Sequence, residues 1–325
     1  MKPINTAKIA LSSICILLLF TLSACEQNEP SYEDANIENE QQNISYTFEN
    51  PKTGQEFSII HAYQLYENYF EAAKDQPEEP LSKLFQQEIL TPVSKACFED
   101  AELSNSVGFL DMVTKRSEFE RVKNQIERMN SAQLNEVFEE SLVKSSDVIS
   151  TEKETTVCIF PENESFPSDM VTIGSGEIVV FYNRFHKYFK SGMSHEYHHS
   201  VWLEKHLSEN SLLTGLDHLT MEGEAVMFET LVYPNLNHMY ALLDESFNKE
   251  HWSKIEPYLD RTDGTGILEM KIGGSNGIPN NYGYSEGYKM VRSYLDLHPE
   301  MAVEEWTAKE PKEIFEEVNY IANYR

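Results

Sequence analysis

His195-Glu196-Tyr197-His198-His199 is the stretch on which the reading of this chain turns. It has the form H-E-x-x-H. Residues four apart share one face of a helix, so His195 and His199 present two imidazoles to a single zinc ion. Glu196 lies beside them, where a carboxylate can take a proton from a metal-bound water. The segment continues through Val201, Trp202 and Leu203, giving the helix an apolar side and a metal-binding side.

A catalytic zinc site usually has three protein ligands and one open position. A metzincin would place Gly at 202 and His at 205. This chain has Trp202 and Lys205, which excludes that arrangement. Downstream, Leu219 to Glu229 reads as a second helix, rich in carboxylates. Glu222 follows His199 by 23 residues, room for a helix end, a loop and a returning helix. It is the expected third ligand of a His-His-Glu site, with Glu224 as the alternative. Glu229 shares the face of Glu222 two turns on. Asp217 and His218 are weaker candidates, because Gly215 nearby suggests a loop before the helix.

Ahead of the metal helix, Thr155 to Phe160 reads as a strand stopped by Pro161. Met170 to Asn183 holds two β-rich pieces separated by Gly174-Ser175-Gly176, where the chain can turn or bulge. Strand, glycine-containing strand, then metal helix is the order of a zincin, in which an edge strand above the helix can hold an extended peptide. Further upstream the apolar residues recur at helical spacing. Ile59, Tyr63, Tyr66 and Phe70 share one face, as do Leu81, Leu84, Phe85 and Ile89. Phe119, Val122, Ile126 and Met129 repeat the pattern, and Leu134, Val137, Phe138 and Leu142 form a shorter one. These are core faces and carry no chemistry. The expected fold is a mostly helical α+β, zincin-like, with a small sheet next to the active-site helix. A helical N-terminal region spans 46–150 and the catalytic region 151–325.

The first residues read as an export signal. Lys2 and Lys8 precede an uncharged apolar run from Ile9 to Leu22, too short for a comfortable membrane span. Leu22-Ser23-Ala24-Cys25 resembles a bacterial lipobox, with cleavage after residue 24 and lipid on the Cys25 sulfur. Two acyl chains there give the stable anchoring that one chain does not. Residues 25–45 are acidic, Asn/Gln-rich and poor in large apolar groups, the composition of a disordered tether. Some twenty such residues hold a domain on the order of 25 Å from the membrane surface. The expectation is a lipid-anchored protein facing the extracytoplasmic side.

With 54 acidic against 26 basic residues, the formal net charge is −28. Phosphate binding needs a basic surface, so nucleic acid is not an expected partner. Acidity does not identify a substrate. Cys97 and Cys158 remain after the signal and the anchor. An oxidising compartment permits one disulfide between them, and a buried free thiol at Cys158 is at least as good a reading.

The segments His195-Glu196-Tyr197-His198-His199, Glu222-Gly223-x-Ala225 and Gly283-Tyr284-Ser285-Glu286-Gly287-Tyr288 resemble a bacterial family of predicted zinc-dependent proteases of unknown function, gluzincin-like in its ligands. The family's closing helix and short C-terminal segment correspond to Met290 to Tyr294 and Ile314 to Tyr320, so the likeness covers roughly residues 150–325. It implies zinc, with His195, His199 and the Glu of E-G-x-A as ligands and Glu196 as base. Glu224 departs from the family, which usually has an apolar residue there, and leaves a second acid near the metal. The substrate class implied is protein or peptide. Glu196 would take the proton of the attacking water and pass it to the leaving amine. The developing oxyanion needs a donor. Among Tyr282, Tyr284 and Tyr288, in a glycine-rich stretch able to fold over the site, Tyr284 is the choice. His198 points elsewhere on the helix as a supporting or surface residue, and His186 and His206 receive no role. Two other readings stay open: a peptide- or solute-binding lipoprotein with a structural zinc site, and a hydrolase of non-peptide amides. An intact Glu196 weighs against the first.

Overall fold

The computed structural model describes residues 44–99, 103, 114–162, 169–182, 186–207, 212–236 and 245–325. The signal, Cys25 and all but the last two residues of the 25–45 tether lie outside the described residues. Ile44, the first described residue, is buried.

The first two elements are strands, β1 (Ser45–Glu49) and β2 (Glu56–Ile60), joined as an antiparallel hairpin. A 3-10 turn leads into helices α1 (Tyr66–Asp75) and α2 (Leu81–Phe85), the latter widening through a π turn into α3 (Thr91–Phe98). Helices α4 (Phe119–Ile126) and α5 (Ser131–Val148) follow, then β3 (Thr155–Pro161), β4 (Met170–Gly174) and β5 (Glu177–Tyr182). The sheet is mixed, in the order β1-β2-β3-β5-β4. Strand β3 runs parallel to both β2 and β5, and β4 is antiparallel to β5 at the edge.

Side chains alternate across a strand, and here both faces are covered. Cys158, Phe160, Val179 and Phe181 pack with Tyr69, Phe85 and Val93 of the N-terminal helices. Val157, Ile159, Ile178 and Val180 pack on the other face with Phe138 and Leu142 of α5 and with Met193, Tyr197 and Val201 of α6 (Phe189–His206). The result is a mostly helical α+β fold in which the sheet lies between two helical layers. The region read as helical from residue 46 therefore also supplies two strands, and Ile59 lies in β2 rather than on a helix face with Tyr63. Phe57, Ile59 and Ile60 are all buried because β2 is an inner strand, so the two-residue alternation that marks a half-exposed strand is missing.

Cys97 of α3 and Cys158 of β3 form a disulfide, both residues buried. The free-thiol reading of Cys158 is replaced by this cross-link, which ties the N-terminal helical layer to the sheet.

Strands β4 and β5 are joined at Ser175-Gly176. Gly176 has φ +79, and a Cβ there would lie 2.5 Å from the Glu154 carbonyl oxygen, so the turn needs glycine. The ladder shifts register between Thr172 and Gly174. This irregular edge is the part of the sheet beside α6.

The remaining elements are α7 (Gly215–Val232), α8 (Lys249–Ile255), α9 (Ile267–Ile272), α10 (Tyr282–Leu297), α11 (Val303–Thr307), α12 (Pro311–Glu317) and a 3-10 turn at Tyr320–Tyr324. They form their own apolar cluster, including Leu219, Trp252, Met270, Met290, Tyr294 and Ile314. Among the described residues, no helix is long and apolar enough to cross a membrane.

Candidate metal centre

Helix α6 is fixed from both sides. Ser194 meets Ser141 and Ser145 of α5 through hydroxyl contacts of 3.1 and 2.9 Å, small residues that let the two helices approach closely. One turn separates His195 from His199, and their ring centroids are 4.5 Å apart. Opposite them stands α7, started by a capping box in which Thr214 and Asp217 bond each other's backbone N–H groups.

Glu222 of α7 closes the group. Its Oε2 lies 3.2 Å from His195 Nε2 and 3.2 Å from His199 Nε2. Zinc bonds to nitrogen and oxygen of roughly 2.0–2.1 Å place the donors of a tetrahedron about 3.3 Å apart. Two imidazoles and one carboxylate oxygen, nearly sealed from solvent, therefore have the chemistry that zinc requires, and the oxygen stands at a suitable distance from each imidazole.

The charges around these groups are strongly coupled. Burial disfavours a charge on His195, but the carboxylates of Glu222 and Glu229 outweigh it and push its pKa up to about 10. Burial likewise works against ionising Glu222. The Lys271 ammonium, then His199 and His195, overcome that and hold its carboxyl well below the usual range. Glu229 Oε2 stands 3.6 Å from His195 Nδ1, on the far side of the ring from Glu222. A carboxylate in that position orients a ligating imidazole.

Glu196 is the second carboxylate near the two histidines. One donor atom from each of His195, Glu196 and His199 falls within 4.8 Å of the others. Its Oε2, however, accepts the backbone N–H of Thr172 at 2.7 Å and lies 2.9 Å from the Thr172 hydroxyl. Glu222 is the carboxylate that meets both Nε2 atoms, while Glu196 is tied to strand β4.

The outward groups of β4 are engaged here within the chain. Thr172 N–H goes to Glu196, and the Ile173 carbonyl accepts the Leu103 N–H at 2.8 Å. The expectation of a vacant peptide-docking edge does not hold at these two positions.

The other sequence candidates separate clearly. Glu224 is fully buried, and neither of its oxygens has a hydrogen-bond partner. Burial raises its pKa well above the carboxylate range, and it makes no hydrogen bond to the histidines. Asp217 is spent on the helix cap. His218, one turn before Glu222, has its pKa lowered to about 4 by burial and then by Lys271. Of the three tyrosines, Tyr284 is the one against the histidines, half-buried with its ring centroid 6.1 Å from that of His195. Tyr282 packs against His251, and Arg292 lies over Tyr288. His198 is a core residue, not a surface one. It is stacked on Trp306, sits against Phe228 and bonds Thr307 Oγ1 at 3.1 Å. His206 donates to the Thr307 carbonyl, and the side chain of His186 lies outside the described residues.

Sequence reasoning missed Thr172 and Lys271. Neither sits at a spacing from the H-E-x-x-H segment that would single it out. The glycines of the second and third segments gave a usable signal: Gly223, Gly283 and Gly287 each mark a place where helices touch backbone to backbone.

No curated protein and no solved structure matches the chain. A family model does, over residues 134–316, a span that takes in most of α5, the three strands β3 to β5, all of the metal-centre residues above and most of the C-terminal helices. The chain belongs to that family, DUF2268, described as predicted Zn-dependent proteases.

Proposed function

We propose that this chain is a zinc-dependent metallopeptidase, exported and held at the extracytoplasmic face of the membrane by lipid on Cys25. In this reading His195, His199 and Glu222 hold the metal. The observation that carries it is the convergence of both Nε2 atoms on Glu222 Oε2 at 3.2 Å, with a second carboxylate, Glu196, beside them.

When bound, zinc supplies a Lewis acid and brings the pKa of its water toward neutrality. The chain's own groups do the rest. Glu196 takes one proton from the water as its oxygen bonds to the peptide carbonyl carbon. It returns that proton to the amine nitrogen as the C–N bond breaks, leaving a carboxylic acid and an amine. Thr172 keeps the Glu196 carboxylate at a fixed azimuth on α6. Glu229 orients His195. Tyr284 is the tyrosine of α10 whose ring lies against His195, and its hydroxyl would donate to the oxyanion that develops on the carbonyl.

Elemental analysis of the purified chain tests the ligand set. About one zinc per chain, lost in Glu222→Ala and kept in Glu224→Ala, is the expected result. Zinc kept in Glu222→Ala, or no zinc in the wild type, would sink the assignment.

A further inference from the structure

Lys271 reaches the metal centre from α9, far along the chain from the histidines. Its Nζ is ion-paired with Glu222 Oε1, the oxygen that does not meet the imidazoles, and its side chain keeps 22% exposure where that of Glu222 has 2%.

Three glycines place it there. Helices α7 and α10 meet so closely that a Cβ on Gly223 would lie 2.1 Å from the Gly287 carbonyl carbon, and one on Gly287 would lie 2.0 Å from the Leu219 carbonyl oxygen. Real side-chain carbons do not approach that near, so both positions require glycine. One turn earlier on α10, a Cβ on Gly283 would lie 2.7 Å from the Cα of Lys271 itself. Helix α10 is thus packed by glycine against the helix of Glu222 and against the backbone of Lys271. The end of α9 is further tied down where Asn281 N–H donates to the Ile272 carbonyl at 2.6 Å. The two glycine motifs join Lys271 to Glu222 through one rigid helix.

We propose that Lys271 is a positioning residue for the metal centre. Its ammonium holds Glu222 Oε1 and so leaves Oε2 alone to the metal, which keeps Glu222 a one-oxygen ligand and one coordination position open. The inference rests on the His-His-Glu reading given above. A structural role alone is a weak account of the pair, because a buried or half-buried ion pair adds little net stability while its desolvation cost is large. A cation beside a divalent-metal site also repels the metal, so its placement on the spare oxygen needs a reason at the site. Without the ammonium, the freed Oε1 can join the coordination shell. Open positions are what separate catalytic zinc sites from closed ones, and carboxylates that ligate metals are themselves held by outer partners.

Cobalt substitution tests this directly, since the intensity of the cobalt d–d absorption falls as coordination number rises. The full chain would be loaded with Co(II) as wild type, Lys271→Met, Lys271→Gln and Lys271→Arg, with near-UV circular dichroism reporting the fold of each. We expect the Met and Gln variants to bind cobalt with the d–d band weakened roughly twofold or more. Arg, which keeps a charged donor on Oε1, should retain the wild-type band. A merely structural lysine would leave the spectrum of any folded variant unchanged. A folded Met or Gln variant with the wild-type spectrum would overturn the proposal while leaving the ligand assignment standing. Failure of the wild type to take up cobalt would overturn both.

Discussion

Thr172 holds Glu196 twice: its backbone N–H meets Oε2 at 2.7 Å, and its hydroxyl lies 2.7 Å from the Glu196 carbonyl oxygen and 2.9 Å from Oε2. An edge strand and a helix are thereby locked at the residue assigned as base. The hydroxyl has one hydrogen for two acceptors, so the N–H is the permanent restraint and the hydroxyl the adjustable one. Thr172→Val keeps the shape and the N–H but removes the hydroxyl. We expect kcat to fall at least about tenfold with KM and zinc content little changed, since small misplacements of a reacting group cost up to about 10²-fold. Thr172→Ser should recover most of the loss. A Val variant with wild-type kcat would refute the role.

Gly223 and Gly287 give the second prediction. With no room for a Cβ between α7 and α10, Gly223→Ala must push the helices apart. Overpacking of this kind costs about 1–3 kcal/mol and occasionally more. Because Gly223 adjoins Glu222, the variant should also bind zinc more weakly than wild type at equal folded fraction. Urea denaturation and a zinc-chelator competition measure the two effects. Unchanged values in both would mean that the contact is looser than described.

The histidines buried in neutral form set an acid limit on stability. His198 is lowered well below its ordinary 6.5 by burial, with the neighbouring histidines adding to it. His61 is lowered by burial too, partly offset by its bond to Asn135. For such groups the unfolded chain binds more protons than the folded one. Their contribution is complete above about pH 6.5 and is lost as pH falls from there toward the folded pKa. The slope is at most about 1.4 kcal/mol per pH unit for each histidine. His195 and Glu224, whose pKa values are raised, act in the opposite sense, so the histidine contribution is read as a difference: from pH 7.5 down to 5.5 the denaturation midpoint of wild type should fall relative to that of His198→Gln at matched salt. A difference that does not change with pH would contradict the burial.

How much of this was legible in the chain depends on range. His195, Glu196 and His199 sit in one helical turn, and Glu222 sits where a returning helix must bring it, so local periodicity and one loop length were enough. Strand β2 was hidden because Phe57, Ile59 and Ile60 face packed layers on both sides and show no polar alternation. The Cys97–Cys158 pairing, Thr172 and Lys271 depend on packing between distant elements, which residue spacing does not encode. Glu224 stayed open as the alternative to Glu222 because sequence does not say which face of α7 meets α6.

The disulfide supplies the fourth prediction. It closes 61 residues of chain between α3 and β3. A loop of that length corresponds to about 4 kcal/mol from restriction of the unfolded state. The Cys97→Ala/Cys158→Ala double variant should lose stability of that order, as should the reduced wild type, while the geometry around Glu222 stays intact and zinc content is kept. Equal urea midpoints for oxidised and reduced chains would contradict it.

In the function proposed for this chain, Glu196 is the base of a peptidase whose metal is held by other residues. Digestion of a peptide library by the zinc-loaded chain, wild type against Glu196→Gln at equal zinc content, tests it most directly. Defined cleavage products from the wild type and loss of at least about 10² in rate in the Gln variant are expected. Cleavage by Glu196→Gln at the wild-type rate, or no cleavage by a fully zinc-loaded wild type, would contradict it.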